Sequence, residues 1–292
     1  MLPTHAHIIE VGPRDGLQNE KQIISLADKL KLIELLSDTG LEEIEAGAFV
    51  SPKWVPQMAD SPQVFAALQS KKSAVVYSAL VPNEQGMQAA LAAGVKRIAV
   101  FTAASETFNQ KNINATIAES LARFVPILKL ANEHGVQVRG YISAAFVCPY
   151  EGIIAPEQTA NVICQMRALG INVISIGDTI GKATPLMVDA LLKRLIAECK
   201  IPTEHIVMHF HDTYGFALTN IYAALQHGVH HFDTSIGGLG GCPYAPGAGG
   251  NVATNTVAVF LENLGIATGL NLEKLNAAAL WIQGVIGKKT AC

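Results

Sequence analysis

The sequence predicts an α/β fold, a (β/α)8 TIM barrel with an extra C-terminal helix. Three observations carry that prediction. Short apolar, often β-branched runs alternate eight times with helical patterns along 292 residues, as in β-α units wound around a parallel sheet. Half of the residues are hydrophobic while 6% are aromatic, the aliphatic balance of strands buried on both faces. After the first run stands GPRDGLQNE and not a G-x-G-x-x-G phosphate loop, which argues against a doubly wound dinucleotide fold.

The expected strands are 7–11, 43–49, 74–80, 97–102, 137–144, 173–178, 205–211 and 231–235. Each is short, apolar and bounded by turn residues. The expected helices are 25–38, 61–70, 83–93, 117–134, 156–169, 185–199, 217–227 and 253–264. Gly40, Gly94, Gly135, Gly170, Gly228 and Gly265 each stand just past a helix, where a left-handed residue ends it. Residues 272–286 form the extra helix. No linker, low-complexity segment or internal repeat divides the chain, so 1–292 is expected to be a single barrel domain.

Charge and cysteine usage exclude several classes. Net charge is −3, with 21 Lys+Arg against 24 Asp+Glu and no long basic run. A nucleic-acid or anionic-membrane partner is therefore not expected. No apolar run approaches the ~18–20 residues of a membrane span. The five cysteines are odd in number and form no C-x-x-C pair, which fits a reducing cytosol better than a disulfide framework. The first residues, MLPTHAHIIEVGPRDG, read as a strand and not as a secretory signal. The expected location is cytoplasmic.

In such barrels the chemistry sits at the C-terminal strand ends and the loops beyond them. Those ends carry Arg14 and Asp15 after the first strand, Glu45 on the second and Asp178 at the sixth. His209 and His211 stand at the seventh, and GGLGGCPYAPGAGGN follows the eighth. Ionisable groups from five strands thus converge on one face.

His209 and His211 are two apart on a strand and share a face. A pair of polar residues satisfied by neighbours would look the same. Carboxylates arriving from other strands favour a mixed nitrogen and oxygen site for a divalent ion, Mg²⁺ or Mn²⁺, with Zn²⁺ or Co²⁺ as competitors. Arg14-Asp15 is either a surface ion pair at a turn or a metal ligand beside an oxyanion clamp. Glu45 and Asp178 are either buried acceptors or members of the site. Seven of the 14 residues in 237–250 are glycine, which suits a flexible loop or a lid. Cys242 lies in its middle, where it could move a proton. Asn251, just beyond, could supply an amide oxygen.

These segments resemble the 3-hydroxy-3-methylglutaryl-CoA lyase family of metal-dependent barrel lyases. The matching runs are EVGPRDGLQNEK (10–21), FVSPKWVPQM (49–58), KNIN (111–114), RGY (139–141), CPYEG (148–152), GDTIG (177–181), HFHDTYG (209–215) and GLGGCPYA (238–245). They follow the family's order over nearly the whole chain. The resemblance implies Asp15, His209, His211 and Asn251 as ligands of a divalent cation. It implies Arg14, Cys242, Glu45 and Asp178 as catalytic residues, Arg14 at an enolate oxygen and Cys242 in proton transfer. Gln18, Lys21 and Asn112, with Arg14, would touch the substrate. The implied reaction is retro-Claisen cleavage of the acyl-CoA to acetyl-CoA and acetoacetate, and the implied partner is an acyl-CoA, with a homodimer as an allowed assembly. Related readings are citramalyl-CoA or a longer branched 3-hydroxyglutaryl-CoA as substrate, the reverse direction as a Claisen-type synthase using acetyl-CoA, and a non-catalytic metal- or CoA-binding barrel.

The chain departs from the family beyond the cysteine loop. Where two acidic residues usually follow GN-AT, Asn255 and Thr256 stand. Counting i to i+4 from Asn251 along a helix places Asn255 near the site under the loop.

Overall fold

The computed structural model describes residues 1–70, 73–241 and 250–287. Ten strands are found among them: β1 (His7–Glu10), β2 (Glu43–Ala48), β3 (Val76–Leu80), β4 (Arg97–Ala103), β5 (Gln137–Ser143), β6 (Val147–Cys148), β7 (Gly152–Ile153), β8 (Val173–Asp178), β9 (Ile206–Phe210) and β10 (His231–Thr234). The helices are α1 (Leu26–Ser37), α2 (Ser61–Gln69), α3 (Glu84–Ala92), α4 (Glu106–Ile113), α5 (Ile117–Glu133), α6 (Pro156–Ala168), α7 (Pro185–Lys193), α8 (Ala217–Gln226), α9 (Thr254–Asn263) and α10 (Leu272–Val285).

Eight strands close into a barrel in the order β1-β10-β9-β8-β5-β4-β3-β2. Their ladders are parallel, and β1 meets β10 in the register His7 opposite His231 and Glu10 opposite Thr234. The barrel with its helices and the extra C-terminal helix is the expected fold. Helix starts follow side-chain capping: the hydroxyl of Ser25 accepts from the Asp28 N–H, and Thr116 with Glu119 forms a reciprocal box on α5.

Five features were not expected. Gly12–Gly16 forms a π-helical turn in which the Val11 carbonyl accepts from the N–H groups of Arg14, Asp15 and Gly16. The β4 exit is lengthened by α4, and the β5 exit by the antiparallel β6-β7 hairpin. The expected helix 185–199 changes to a π-helical turn at Arg194–Glu198. The expected strand 205–211 stops at Phe210, with His211 in a bridge to Asn251.

Aliphatic side chains from strands and helices fill the layer between them, including Leu32, Ile44, Ile98, Ile127 and Leu261. Removing that surface from water drives the assembly. The barrel lumen itself is partly ionic. Arg139 on β5 is buried and donates from Nη1 to Asp233 Oδ1 at 2.8 Å and from Nη2 to Glu45 Oε2 at 2.8 Å. Ser175 Oγ donates to Asp233 Oδ2 at 2.8 Å, and Tyr141 Oη to Glu45 Oε2 at 2.9 Å. No helix among the described residues is long and apolar enough to cross a membrane.

Cutting Arg139 back to an apolar chain takes the guanidinium partner from two buried carboxylates, Glu45 and Asp233. Arg139→Met is expected to lower folding stability by about 3–5 kcal/mol, measured by urea unfolding; a loss under about 1 kcal/mol, the usual level for an exposed pair, would contradict this arrangement.

Candidate active site

The turn after β1 places the first groups. Gly12 and Gly16 let it close tightly. A Cβ on Gly16 would stand 2.7 Å from both Leu239 Cβ and Ser235 Oγ. Glu10 fixes the surroundings: its Oε1 accepts from the N–H of Gly12 at 2.7 Å and of Ile236 at 2.8 Å, and its Oε2 from Thr254 Oγ1 at 2.6 Å. Burial nonetheless pushes its carboxyl up to about 7. Glu10 thus joins the turn, the start of the glycine-rich loop and α9.

Arg14 points into the barrel mouth, buried, with its Nε on Glu45 and its Nη1 on Asp15. Despite burial, those carboxylates hold the guanidinium above its ordinary range. Glu45 is fully buried and shared by Arg14, Arg139 and Tyr141. Asp15 is held well below the carboxylate range; against the upward push of burial, Arg14, His209, His211 and the Asn251 amide all favour its anion.

His209 on β9 is oriented from behind. Its Nδ1 bonds Asp233 Oδ2 at 3.2 Å, and its Nε2 lies 3.9 Å from Asp15 Oδ2. The carboxylate fixes the tautomer, with the proton on Nδ1, and leaves Nε2 with its lone pair free. Asp233 lifts His209 above the usual imidazole value although burial opposes this. Burial, with His209 adding to it, pulls His211 down to about 4.

Asn251 arrives by backbone pairing. The Val252 N–H donates to the Phe210 carbonyl at 3.0 Å and the Asp212 N–H to the Gly250 carbonyl at 2.8 Å, so 250–252 runs antiparallel to the β9 exit. Asn251 then sits opposite His211 and donates its Nδ2 to Asp15 Oδ2 at 2.7 Å. Gly250 is needed at this crossing, since a Cβ there would stand 2.5 Å from the Gly240 carbonyl carbon.

Asp15, His209 and His211 each offer a ligand atom, all within 4.8 Å of one another. His211 Nδ1 and Asn251 Oδ1 are buried with no protein partner. Such atoms are costly unless something satisfies them. One carboxylate, two imidazoles and one amide oxygen suit a divalent cation.

The remaining expected residues stand elsewhere. Asp178 ends β8 and is pushed up to about 6 by burial, although the N–H groups of Lys182 and Ala183 each donate to it at 3.0 Å. Gln18 is half-buried, with its Oε1 lacking a protein partner. Lys21 is exposed in the turn beyond it, and Asn112 is exposed at the end of α4. Cys242 lies outside the described residues. The expectation for Asn255 is corrected. The helix starts at Thr254, so Asn251 is not on it and the i to i+4 relation fails. Asn255 instead accepts from the Gly237 N–H at 3.4 Å and donates to Asn276 at 2.8 Å, while Thr256 is exposed. Asp233 and Arg139 escape the strand-end rule because they lie inside strands. The charged residues of RGY and FDT, set in apolar strands, were the available signal.

Glu10 yields a pH dependence. Burial favours its protonated form in the folded chain, so its contribution is full below pH 4.5, the ordinary value, and lost as pH rises through about 7. At ~1.4 kcal/mol per pKa unit this is about 3 kcal/mol. Glu10→Gln is expected to flatten the fall of unfolding free energy between pH 5 and 8, read by urea titration at each pH; an unchanged slope would remove Glu10 as its source.

The HMGL-like family matches residues 5–282. The chain is 52% identical over 287 residues to the 3-hydroxy-3-isohexenylglutaryl-CoA/hydroxy-methylglutaryl-CoA lyase of Pseudomonas aeruginosa, covering 98% of this chain and 95% of that protein. The crystal structure of hydroxymethylglutaryl-CoA lyase from Pseudomonas aeruginosa superposes with a TM-score of 0.96 at 51% identity, over 100% of this chain and 96% of the other. An HMG-CoA lyase from Acinetobacter baumannii in complex with coenzyme A and 3-methylmalate gives a TM-score of 0.93 at 35% identity, over 99% and 93%. With a family match spanning almost the whole barrel and relatives at half identity, this chain belongs to the HMGL-like family.

Proposed function

We propose that this chain, as a single barrel domain over 1–292, is a hydroxymethylglutaryl-CoA lyase that cleaves 3-hydroxy-3-methylglutaryl-CoA to acetyl-CoA and acetoacetate. The observation that carries the reading is the meeting of Asp15, His209, His211 and Asn251 beside an arginine clamped by Glu45. The relative solved with coenzyme A supports an acyl-CoA as substrate class.

The reaction must remove the proton of a tertiary alcohol and break the C2–C3 bond. The bond's electron pair passes into the thioester enolate, and C3 becomes the ketone of acetoacetate. Asp15, His209, His211 and Asn251 would hold Mg²⁺ or Mn²⁺. A divalent cation, when bound, polarises the hydroxyl and lowers its pKa. Asp178, at the end of β8 and close enough to His209 for that ring's charge to act on its carboxyl, is read as an acidic residue that supports and arranges the site. Arg14 faces the thioester oxygen where negative charge develops. Its guanidinium is immobilised by Glu45 and Asp15, so little reorganisation is needed as the charge appears. Cys242, in the glycine-rich sequence between Gly240 and Gly250, delivers a proton to C2 of the enolate. Gln18 follows Arg14 by four residues and supplies an acceptor to the substrate, with Lys21 and Asn112 at the rim. The activity is read as cytoplasmic, with a homodimer as an allowed assembly.

One relative's name also carries a longer branched substituent, 3-hydroxy-3-isohexenylglutaryl-CoA. The same groups serve that substrate, since only the C3 substituent differs. Assays of both thioesters with Mg²⁺ and Mn²⁺ test the assignment; no cleavage of either would overturn it.

Arg14→Met is expected to lower kcat by ~10²–10³-fold, as for loss of an oxyanion donor, with a much smaller change in KM. A loss confined to KM would make Arg14 a binding residue. Cys242→Ser is expected to bind Mn²⁺ as the parent does, by calorimetry, and yet lose most turnover; near-parental kcat would exclude it from proton transfer.

A further inference from the structure

A second group of histidines stands at the opposite end of the barrel from Arg14 and Asp15. His7 opens β1 and His231 opens β10, and the two are direct partners in the ladder that closes the barrel. Their rings stack, with centroids 4.7 Å apart and planes 14° apart. His230, next in the chain, brings its ring to 4.5 Å from that of His231. One ring nitrogen from each lies within 4.8 Å of the others, the same closeness as Asp15, His209 and His211.

We propose that His7, His230 and His231 form a second metal site, one that takes a transition-metal ion such as Zn²⁺ across the seam between β1 and β10. Two of the three rings are set up as ligands from behind. His7 Nδ1 bonds Glu42 Oε2 at 3.1 Å, and His230 Nδ1 bonds the Gly228 carbonyl at 2.8 Å. Because both acceptors are oxygens, each Nδ1 carries the proton and each Nε2 keeps its lone pair, the arrangement that orients metal-bound imidazoles. The third ring supplies an independent sign. His231 Nδ1 is buried with no protein partner, the state a bound ion would relieve.

The donor set states which ion. Three imidazoles without an oxygen or a thiolate among them favour Zn²⁺, Ni²⁺ or Cu²⁺ over Mg²⁺ or Mn²⁺. Rotation about the side-chain bonds of half-buried rings closes 4.8 Å to the spacing set by Zn–N bonds of ~2.0–2.1 Å. Glu42, behind His7, and Glu204, whose charge acts on His231, supply negative charge to offset the ion. Bound there, the ion pins the first barrel strand to the last. The N-terminal face of such barrels serves stability and not chemistry, so the ion is structural, with no part in the cleavage.

The test is Zn²⁺ titration of chelator-stripped full-length chain without a histidine tag, by calorimetry, in three forms. The parent is expected to bind two equivalents. His7→Gln/His230→Gln should bind one, retain parental kcat and KM with Mg²⁺, and show a smaller Zn²⁺-induced rise in Tm. His211→Ala should also bind one, which separates this site from the proposed catalytic one. A parent that binds a single equivalent lost in His211→Ala, or a His7→Gln/His230→Gln chain that keeps both equivalents, would overturn the proposal. A folded circular dichroism spectrum for His7→Gln/His230→Gln validates its reading; should that pair fail to fold, His230→Gln alone must show the same loss of one equivalent.

Discussion

Arg139 is the fixed point on which both halves of the mouth depend. One arm of its guanidinium holds Glu45 and the other holds Asp233. Glu45 in turn clamps Arg14, and Asp233 orients His209. The proposed partner of the developing anionic charge, Arg14, and a proposed cation ligand, His209, are therefore positioned by one side chain. Lysine would serve poorly, because only a planar fork reaches two carboxylates with separate N–H pairs. The guanidinium also cannot discharge in a protein. Its field keeps Asp233 ionised, with a carboxyl below the ordinary range although burial raises it.

That ionic lumen has a cost that the aliphatic shell must offset. Buried ion pairs seldom add net stability over a packed apolar core. Here each charge has several partners, which limits the penalty, and the strands carrying them are buried in aliphatic side chains on their outer faces. The arrangement suits catalysis more than stability. Its donors are preorganised, so little rearrangement is needed when substrate charge appears. Around the rim the same economy of motion comes from backbone contacts. Leu239 packs on Gly16, and Gly250 crosses Gly240, at distances no Cβ would allow.

The architecture was legible because each barrel strand is a short aliphatic run between turn residues, and the eight runs recur in step with helices. The strand-end rule named Arg14, Asp15, Glu45, Asp178, His209 and His211 as candidates, of which Asp15, His209 and His211 come together with Arg14 and Glu45 beside them. It also named Asn251 in the loop after the eighth strand, although the antiparallel bridge by which Asn251 reaches Asp15 lies outside the barrel ladder and is not encoded in a one-dimensional pattern. It did not find groups set deeper in the strands. Arg139 and Asp233 lie inside strands, where a pattern that reads strand exits does not look. Asn255 was misplaced because helical periodicity was extended across Val252 and Ala253, which are not helical. The segment α4 and the β6-β7 hairpin carry no strong period in the sequence and stand outside the expected elements. They nevertheless interlock, with the Thr107 N–H donating to Glu151 at 2.7 Å and Lys111 over the Tyr150 ring.

Histidine serves both ends of this barrel, and its neighbours decide what each cluster can hold. At the mouth, Asp15 and Asn251 bring oxygen atoms to the imidazoles, which admits hard ions able to exchange water for substrate oxygens. At the base, three imidazoles meet without an oxygen ligand among them, which favours a softer ion held for its own sake. Strand β10 links the two ends. His231 and Asp233 are two residues apart, so both side chains leave the same face. The first faces His7 at the seam, and the second holds His209 and Arg139. Any constraint that fixes the start of β10 against β1 therefore acts on the same short strand that carries Asp233. Through Asp233, the register of the closing ladder sets the orientation of His209, so barrel closure and site geometry are one constraint.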